Sequence, residues 1–438
     1  DDTTDFVSWL PSNTCLCTTW NPNLARKFGE VLGDEARGRG KDVILAPGIN
    51  IKRTPLCGRN FEYMSEDPHL TGRMAVPLVQ GIQSQDVAAC VKHFALNNQE
   101  CDRLSVDTKV DDKTLFELYL PAFYDALMEG GSYSVMGAYN KYDGEFCCEN
   151  ATLLKKILRD LWHYDGVTIS DWGGVHNTKK TALNGVDMEM SVTPDFDDYK
   201  LANPLLEKVK SGKIDESVID ERIERILTMM ERIKLGDKTR NKGCTNTKDH
   251  QQTIQQIAEE GIVLLKNDTA HLPLSKETKK ILVLGDNAKR THAAGGGSAE
   301  IKALYDISPL LGMRMVLGGD AQIDWLPGYY VDNEKHVAGE VDWQAESLDV
   351  DYTTDRGKEQ FDKEIRPIRE KYLKEALDAC PSYDEVIFIG GLNHAYDVEG
   401  FDRPDMTLPY GQNEVIEALT EKCKNLTVVL INGGSVEM

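Results

Sequence analysis

A two-domain α/β protein is the fold class that the sequence predicts, and three observations carry it. Short β-branched runs alternate with amphipathic helical stretches through the first 235 residues. A polar, glycine-punctuated segment, Gly236-Asp237-Lys238-Thr239-Arg240-Asn241-Lys242-Gly243, then interrupts the periodicity. A chain of 438 residues is also too long for one ordinary core.

In the first block, residues 43–45, 88–94, 133–138, 166–169 and 186–190 read as buried strands. Helical stretches at 23–37, 115–129 and 152–161 lie between them. This order implies a parallel sheet or a barrel. Asp67-Pro68 marks a helix start, with Asp67 at the cap and Pro68 at the first helical position. A long helix over 216–233 closes the block, with Ile219, Ile223, Ile226, Leu227, Met230 and Ile233 on one face. The second block opens with a helix at 251–260 and the apolar run Gly261-Ile262-Val263-Leu264-Leu265. Strands follow at 281–284, 386–389 and 427–431, with helices at 364–379 and 412–422. Fewer repeats favour a smaller α/β sandwich. The expected boundaries are 1–236 for the first domain, 237–250 for the linker and 251–438 for the second domain.

Composition narrows the function. Hydrophobic content of 41% with 50 basic and 72 acidic residues describes a soluble globular chain, and a formal charge of −22 repels nucleic acid and anionic membrane surfaces. No apolar run approaches the roughly 18 to 20 residues of a membrane span. The ten cysteines follow no zinc-ribbon spacing, so reduced core thiols and a cytoplasmic location are expected, with no metal. The adjacent Cys147 and Cys148 read as structural. The run 281–285 followed by Gly295-Gly296-Gly297 lacks the G-x-G-x-x-G spacing, so no cofactor is expected. The chain begins at Asp1 and stops at Met438 just after a strand-like run, the pattern of an internal fragment of a longer enzyme. A signal peptide and a homo-oligomer are both left open.

In parallel α/β architectures reactive side chains gather at the carboxyl ends of strands. Strand 88–94 delivers Lys92 and His93 and runs on to Asn97, Asn98, Glu100 and Arg103. Strand 133–138 ends at Tyr139-Asn140, and strand 166–169 at Ser170-Asp171-Trp172. The loop from 47 to 63 carries Arg53, Arg59 and Glu62, and the loop after 386–389 holds His394, Asp397, Glu399, Asp402 and Arg403. Charged donors and acceptors beside aromatic rings suit a sugar, whose hydroxyls take charge-assisted hydrogen bonds and whose C–H faces pack on rings. Glycoside hydrolysis needs one ionised and one protonated carboxyl group, and Asp171 with Glu399 are the candidates.

Ordinary alternatives exist for each residue. An Asp after a strand is commonly a cap or turn residue, and Trp172-Gly173-Gly174 fits a turn. Asp397 rivals Glu399 within one polar loop. Lys92-His93 could be a snorkelling lysine beside a core histidine, although an active-site bulge explains two successive ionisable residues more easily. Arg59 could merely pair with Glu62 or Glu66.

The stretch Gly58-Arg59-Asn60-Phe61-Glu62-Tyr63-Met64-Ser65-Glu66-Asp67-Pro68 resembles the signature of family 3 glycoside hydrolases. So do Lys92-His93-Phe94-Ala95-Leu96-Asn97-Asn98-Gln99-Glu100 with Arg103, Ser170-Asp171-Trp172, and Glu399-Gly400-Phe401-Asp402-Arg403. Val263-Leu264-Leu265-Lys266-Asn267 and Gly295-Gly296-Gly297-Ser298 resemble second-domain markers of that family, and the matches run in order over nearly the whole chain.

The resemblance implies a TIM-type (β/α) barrel, collapsed or incomplete, followed by an α/β sandwich domain. It implies a retaining exo-β-glucosidase acting on a small β-glucoside or gluco-oligosaccharide. Asp171 is the implied nucleophile and Glu399 the implied acid/base, expected about 5–5.5 Å apart. Arg59, Lys92, His93, Arg103 and Tyr139 are implied holders of the terminal glucose, with Trp172 as a wall. Lys92, Arg59 and Arg103 are expected to keep Asp171 ionised. The family's Asp-Gly-Pro segment, whose Asp clamps distal hydroxyls, is absent from this sequence. β-Xylosidase or α-L-arabinofuranosidase activity, and a silent carbohydrate-binding role, stand as alternatives.

Overall fold

The structure, a computed structural model, describes residues 6–293, 295–332, 359 and 361–438. Asp1 therefore lies outside the described residues. The chain divides into two compact units, one of Asp1–Thr54 with Glu62–Ile262, the other of Pro55–Phe61 with Val263–Met438. The polar segment 237–250 and the helix Lys248–Gly261 count with the first unit.

The first unit is built on a sheet of four parallel strands: β1 (Val43–Ile44), β2 (Ala88–Phe94), β3 (Ser134–Gly137) and β4 (Val167–Ile169), in that spatial order. The sheet is open among the described residues, so the α/β class holds while closure into a barrel is not seen. Every residue of β2 is buried, as a central parallel strand requires. The register between β2 and β3 shifts between Val91 and Phe94, at the position where a bulge is expected.

Helices α1 (Pro22–Gly38) and α2 (Pro68–Gln83) pack closely because glycines open their faces. A Cβ at Gly29 would lie 2.2 Å from Leu78 O, and one at Gly81 2.2 Å from Arg26 O. Asp67 caps α2 as expected, its carboxylate accepting from His69 N at 2.8 Å. Beneath the sheet Phe94 meets Phe123 and Trp162 edge-on, with centroids 5.3 and 5.9 Å away.

Two expectations for this unit change. The helix expected over 115–129 is broken into three short pieces, two of them wound with i→i+5 spacing, and Pro121, which has no N–H to give, starts the middle one. The strand expected at 186–190 is reduced to a single bridge between Ile169 and Met188. Its neighbour Thr168 donates its N–H to the side chain of Asp187 at 2.7 Å, where a ladder would use a carbonyl. Arg159 and Arg225 hold that buried carboxylate at 3.0 and 2.8 Å.

The second unit carries another open parallel sheet: β5 (Lys280–Leu284), β6 (Gln322–Leu326), β7 (Glu385–Gly391) and β8 (Leu426–Ile431), in spatial order β8-β7-β5-β6. β6 was not expected, because Gln-Ile-Asp-Trp-Leu alternates polar and apolar residues as a half-buried edge does. The run 262–265 forms no strand; Ile262 to Leu265 are exposed. No helix among the described residues is long and apolar enough to cross a membrane.

The segment after residue 237 is fixed to the first unit by a buried bridge. His250 lies between two acidic residues of α1, with Nδ1 2.9 Å from Glu35 Oε1 and Nε2 3.1 Å from Asp34 Oδ2. Glu35 also accepts from Ser8 N at 2.7 Å and Asn246 N at 3.0 Å. Burial alone would lower the His250 pKa, but the hydrogen bonds and charges of Glu35 and Asp34 outweigh it and raise it above the usual value. Burial likewise pushes Glu35 up, and its hydrogen bonds from His250, Ser8 and Asn246 bring it below the usual carboxylate value.

The raised histidine stabilises the fold fully below its unfolded pKa of about 6.5, and the effect is lost as pH rises through the folded value. The depressed glutamate stabilises above about 4.5, and its effect is lost as pH falls through its folded value. We predict that His250→Gln costs about 1–3 kcal/mol near pH 6 and distinctly less at pH 9. Urea denaturation of both proteins at the two pH values measures this, and an equal penalty at both would refute the charged bridge.

Candidate functional site

Each compact unit contributes its own constellation. In the first, β4 ends in Ser170 and Asp171, both buried, and the chain then turns at Gly173, whose φ of 72° suits glycine. Ser170 N donates to Met188 O and Gly173 N to Met190 O, both at 2.9 Å, so this turn is held from both sides. Asp171 Oδ1 accepts from Trp172 N at 2.9 Å. The ordinary turn role is therefore filled, and it fixes the carboxylate plane. Oδ2 lies 3.7 Å from His93 Nε2.

His93 is oriented by residues that the sequence reading did not select. Its N–H donates to Asn50 Oδ1 at 2.7 Å, Asn50 Nδ2 donates to its carbonyl at 3.0 Å, and Tyr63 OH lies 3.2 Å from Nδ1. Asn50 follows β1, so its place after a strand end was the available signal. Lys92, next along β2, pairs with Glu62 at 2.8 Å. Arg103 donates to Glu100 at 2.7 Å and lies 5.1 Å over the Tyr139 ring. Tyr139 is half-buried, and Trp172 is 50% exposed, which leaves an indole face open for packing.

In the second unit Arg59 and Glu399 meet. Arg59 Nη1 donates to Glu399 Oε1 at 3.3 Å, and Ser298 N donates to Oε2 at 2.8 Å. Both side chains are buried. Segment 55–61 reaches this position through backbone contacts that only glycine permits: a Cβ at Gly58 would fall 1.8 Å from Phe401 O. Gly58 N donates to Asp402 Oδ1 at 3.2 Å, and Arg403 Nη2 donates to Pro55 O at 2.6 Å and Ser435 O at 2.5 Å. The rival carboxylate Asp397 instead accepts from Gly433 N at 2.8 Å, a loop-pinning contact.

The three cations expected to surround Asp171 thus each have a carboxylate partner of their own: Glu399 for Arg59, Glu62 for Lys92 and Glu100 for Arg103. No cluster of three or more His, Cys, Asp or Glu residues suited to a metal occurs among the described residues. Cys147 and Cys148 donate their thiols to Ala95 O and Ala138 O, and burial pushes the Cys147 thiol up to about 12. Such thiols are unreactive.

A buried lysine held by one glutamate makes a strong stability prediction. Glu62→Leu leaves Lys92 buried without that partner and should cost roughly 3–5 kcal/mol, while Glu62→Leu with Lys92→Met should regain most of it. Equilibrium unfolding of the four proteins of this cycle measures the coupling.

Comparison with known proteins adds to this geometry. A profile described as glycosyl hydrolase family 3 N terminal domain matches residues 3–229, and one described as glycosyl hydrolase family 3 C-terminal domain matches residues 262–438. The chain is 41% identical to the β-glucosidase BoGH3A of Bacteroides ovatus, over 100% of the chain and 57% of that protein. It is 37% identical to thermostable β-glucosidase B of Acetivibrio thermocellus, over 98% of the chain and 52% of that protein. Among solved structures it is similar to β-glucosidase 3B from Thermotoga neapolitana in complex with glucose, with a TM-score of 0.80 and 32% identity. That match covers 100% of the chain and 60% of the other. The chain therefore spans little more than half the length of these relatives.

Proposed function

The chain belongs to glycosyl hydrolase family 3, and from that premise we propose that its chemistry is that of a retaining exo-β-glucosidase. Terminal glucose leaves β-glucosides by double displacement. The observation that carries the reading is the buried Asp171 carboxylate at the end of β4, its plane fixed by Trp172 N and its Oδ2 3.7 Å from His93. The relatives named as β-glucosidases support glucose as the sugar, so the partner is a small carbohydrate.

In this reading Asp171 Oδ2 attacks the anomeric carbon, and the bond to the glycosidic oxygen breaks as Glu399 gives that oxygen its proton. A glycosyl ester on Asp171 results. Water then attacks the same carbon, Glu399 takes the water's proton, and glucose departs in the β configuration. Arg59 and Ser298 N–H hold the two oxygens of Glu399, so the acid has a fixed direction of transfer.

The pair Lys92–Glu62 and the pair Arg103–Glu100 offer adjacent donors and acceptors to sugar hydroxyls. His93 and Tyr139 complete the hydroxyl contacts, and the half-exposed Trp172 supplies an apolar wall. We read the open sheet of the first unit as part of a TIM-type barrel and the second unit as the α/β sandwich. The cysteine spacing, which matches no zinc-ribbon pattern, favours reduced thiols and the cytoplasm.

Hydrolysis of an aryl β-glucoside tests the proposal. Asp171→Asn should lose turnover by several orders of magnitude, and NMR of the first-released sugar should show the β anomer. A fully active Asp171→Asn, or α-glucose as first product, would sink it. Glu399→Gln should lower turnover about 10²–10⁴-fold on a poor leaving group and far less on a dinitrophenyl glucoside, which needs no proton. Faster turnover of β-xylosides or α-L-arabinofuranosides would move the specificity, and binding without turnover would identify a silent sugar-binding protein.

A further inference from the structure

His394 sits on the loop after β7, and both of its ring nitrogens face backbone carbonyl oxygens. Nδ1 lies 2.9 Å from Asp397 O and Nε2 lies 2.8 Å from His292 O. A carbonyl oxygen only accepts, and a neutral imidazole has a single N–H to give. The neutral ring therefore satisfies one of these contacts, whereas the imidazolium satisfies both.

The two carbonyls belong to the two loops that hold Glu399. The loop containing His292 provides Ser298 N–H to Glu399 Oε2 at 2.8 Å, and its Gly296 O accepts from Glu399 N at 3.1 Å. The loop containing Asp397 carries Glu399 itself, and its tight turn is set by Asp397 N donating to Asn393 O at 2.8 Å. The ring also packs against the glycine run: a Cβ at Gly296 would fall 2.9 Å from it and one at Gly295 3.2 Å. Phe61 stands edge-on with centroids 5.9 Å apart. His394 is thus fixed in place by shape on one side and by polar contacts at both ring nitrogens.

We propose that His394 is a positioning residue for Glu399, a clamp that ties the two loops with both hydrogen bonds when its ring is protonated and with one when the ring is neutral. The proposal rests on reading Glu399 as the acid/base. The groups around it do not duplicate the switch. From the glycine loop, His292 stands with its ring centroid 5.8 Å away, and its pKa is pushed down to about 3, by burial first and then by the charges of His394 and Arg290. From segment 55–61 come the uncharged Phe61 ring and Arg59, which is engaged with Glu399. From its own loop come Asp397, pinned at Gly433 N, and Glu399. The clamp is complete when the ring carries both protons and partial when it carries one, so turnover is higher in the doubly protonated form.

Two readouts on the full chain test this. Long-range proton–nitrogen spectra of histidine-labelled protein, with His394 assigned by its loss in His394→Phe, report ring protonation without needing activity. The pH profile of kcat/KM on an aryl β-glucoside reports its effect. The expected result is a ring that passes from doubly to singly protonated, and an alkaline ionisation of kcat/KM at the same midpoint. His394→Phe keeps the packing on the glycines, should lack that ionisation, and should lower kcat roughly tenfold with little change in KM. His394→Gln, which gives one non-titrating donor, should fall between the two and also lack the ionisation.

A ring that stays a single neutral tautomer throughout, or a His394→Phe profile matching the wild type, overturns the proposal. If the wild type hydrolyses no glycoside, the reading of the activity fails, and the ring spectra still decide whether the clamp is charged.

Discussion

Burial of charge is the constraint on which the rest of this molecule depends. Among the described residues one lysine, two histidines, four arginines and several carboxylates lie almost wholly out of solvent. A buried ion without a partner costs several kcal/mol, so each must be matched. The structure meets that demand pairwise: Lys92 with Glu62, Arg103 with Glu100, Arg59 with Glu399, and Asp187 with both Arg159 and Arg225. Each pair also fixes a piece of backbone. Asp187 replaces a ladder acceptor beneath Asp171, and Glu399 ties the glycine-rich loop to its own.

Polar groups arranged in this way suit sugar chemistry. A sugar hydroxyl both gives and accepts hydrogen bonds, so it can meet either half of an ion pair without a net charge of its own. Retaining glycoside hydrolysis commonly uses one carboxyl group that attacks and another that shuttles a proton. Asp171 and Glu399 stand in different local settings. Asp171 has a backbone amide on one oxygen and an imidazole near the other, whereas Glu399 has a guanidinium on one oxygen and an amide on the other. Different surroundings are what allow two carboxyl groups to take different roles.

Much of this was legible in the residues. The strand 88–94, the cap at Asp67-Pro68 and the helix 412–422 have the bounds that periodicity and capping chemistry assign them. The candidate list drawn from strand ends contained every cation and carboxylate now seen in the paired clusters around Lys92, Arg103 and Glu399. The losses have particular causes. Pro121 starts a new piece within a helix that hydrophobic periodicity treats as continuous, and Asp187 disrupted a strand through a side-chain contact that no pattern displays. Edge strand β6 was missed because half-burial weakens its apolar signal. Asn50 and Tyr63, which hold His93, looked like ordinary loop residues.

By itself the sequence determined the α/β class, the order of the elements and the identity of the ionisable residues at strand ends, because these follow from local periodicity and residue type. Which charge answers which was decided only in three dimensions. The guanidinium of Arg59 bonds Glu399, 340 positions away in sequence. His250 likewise found Glu35 across 215 positions. A charge is satisfied by what lies within about 3 Å of it in space, and only the packed backbone, opened by glycines such as Gly58, brings those atoms together.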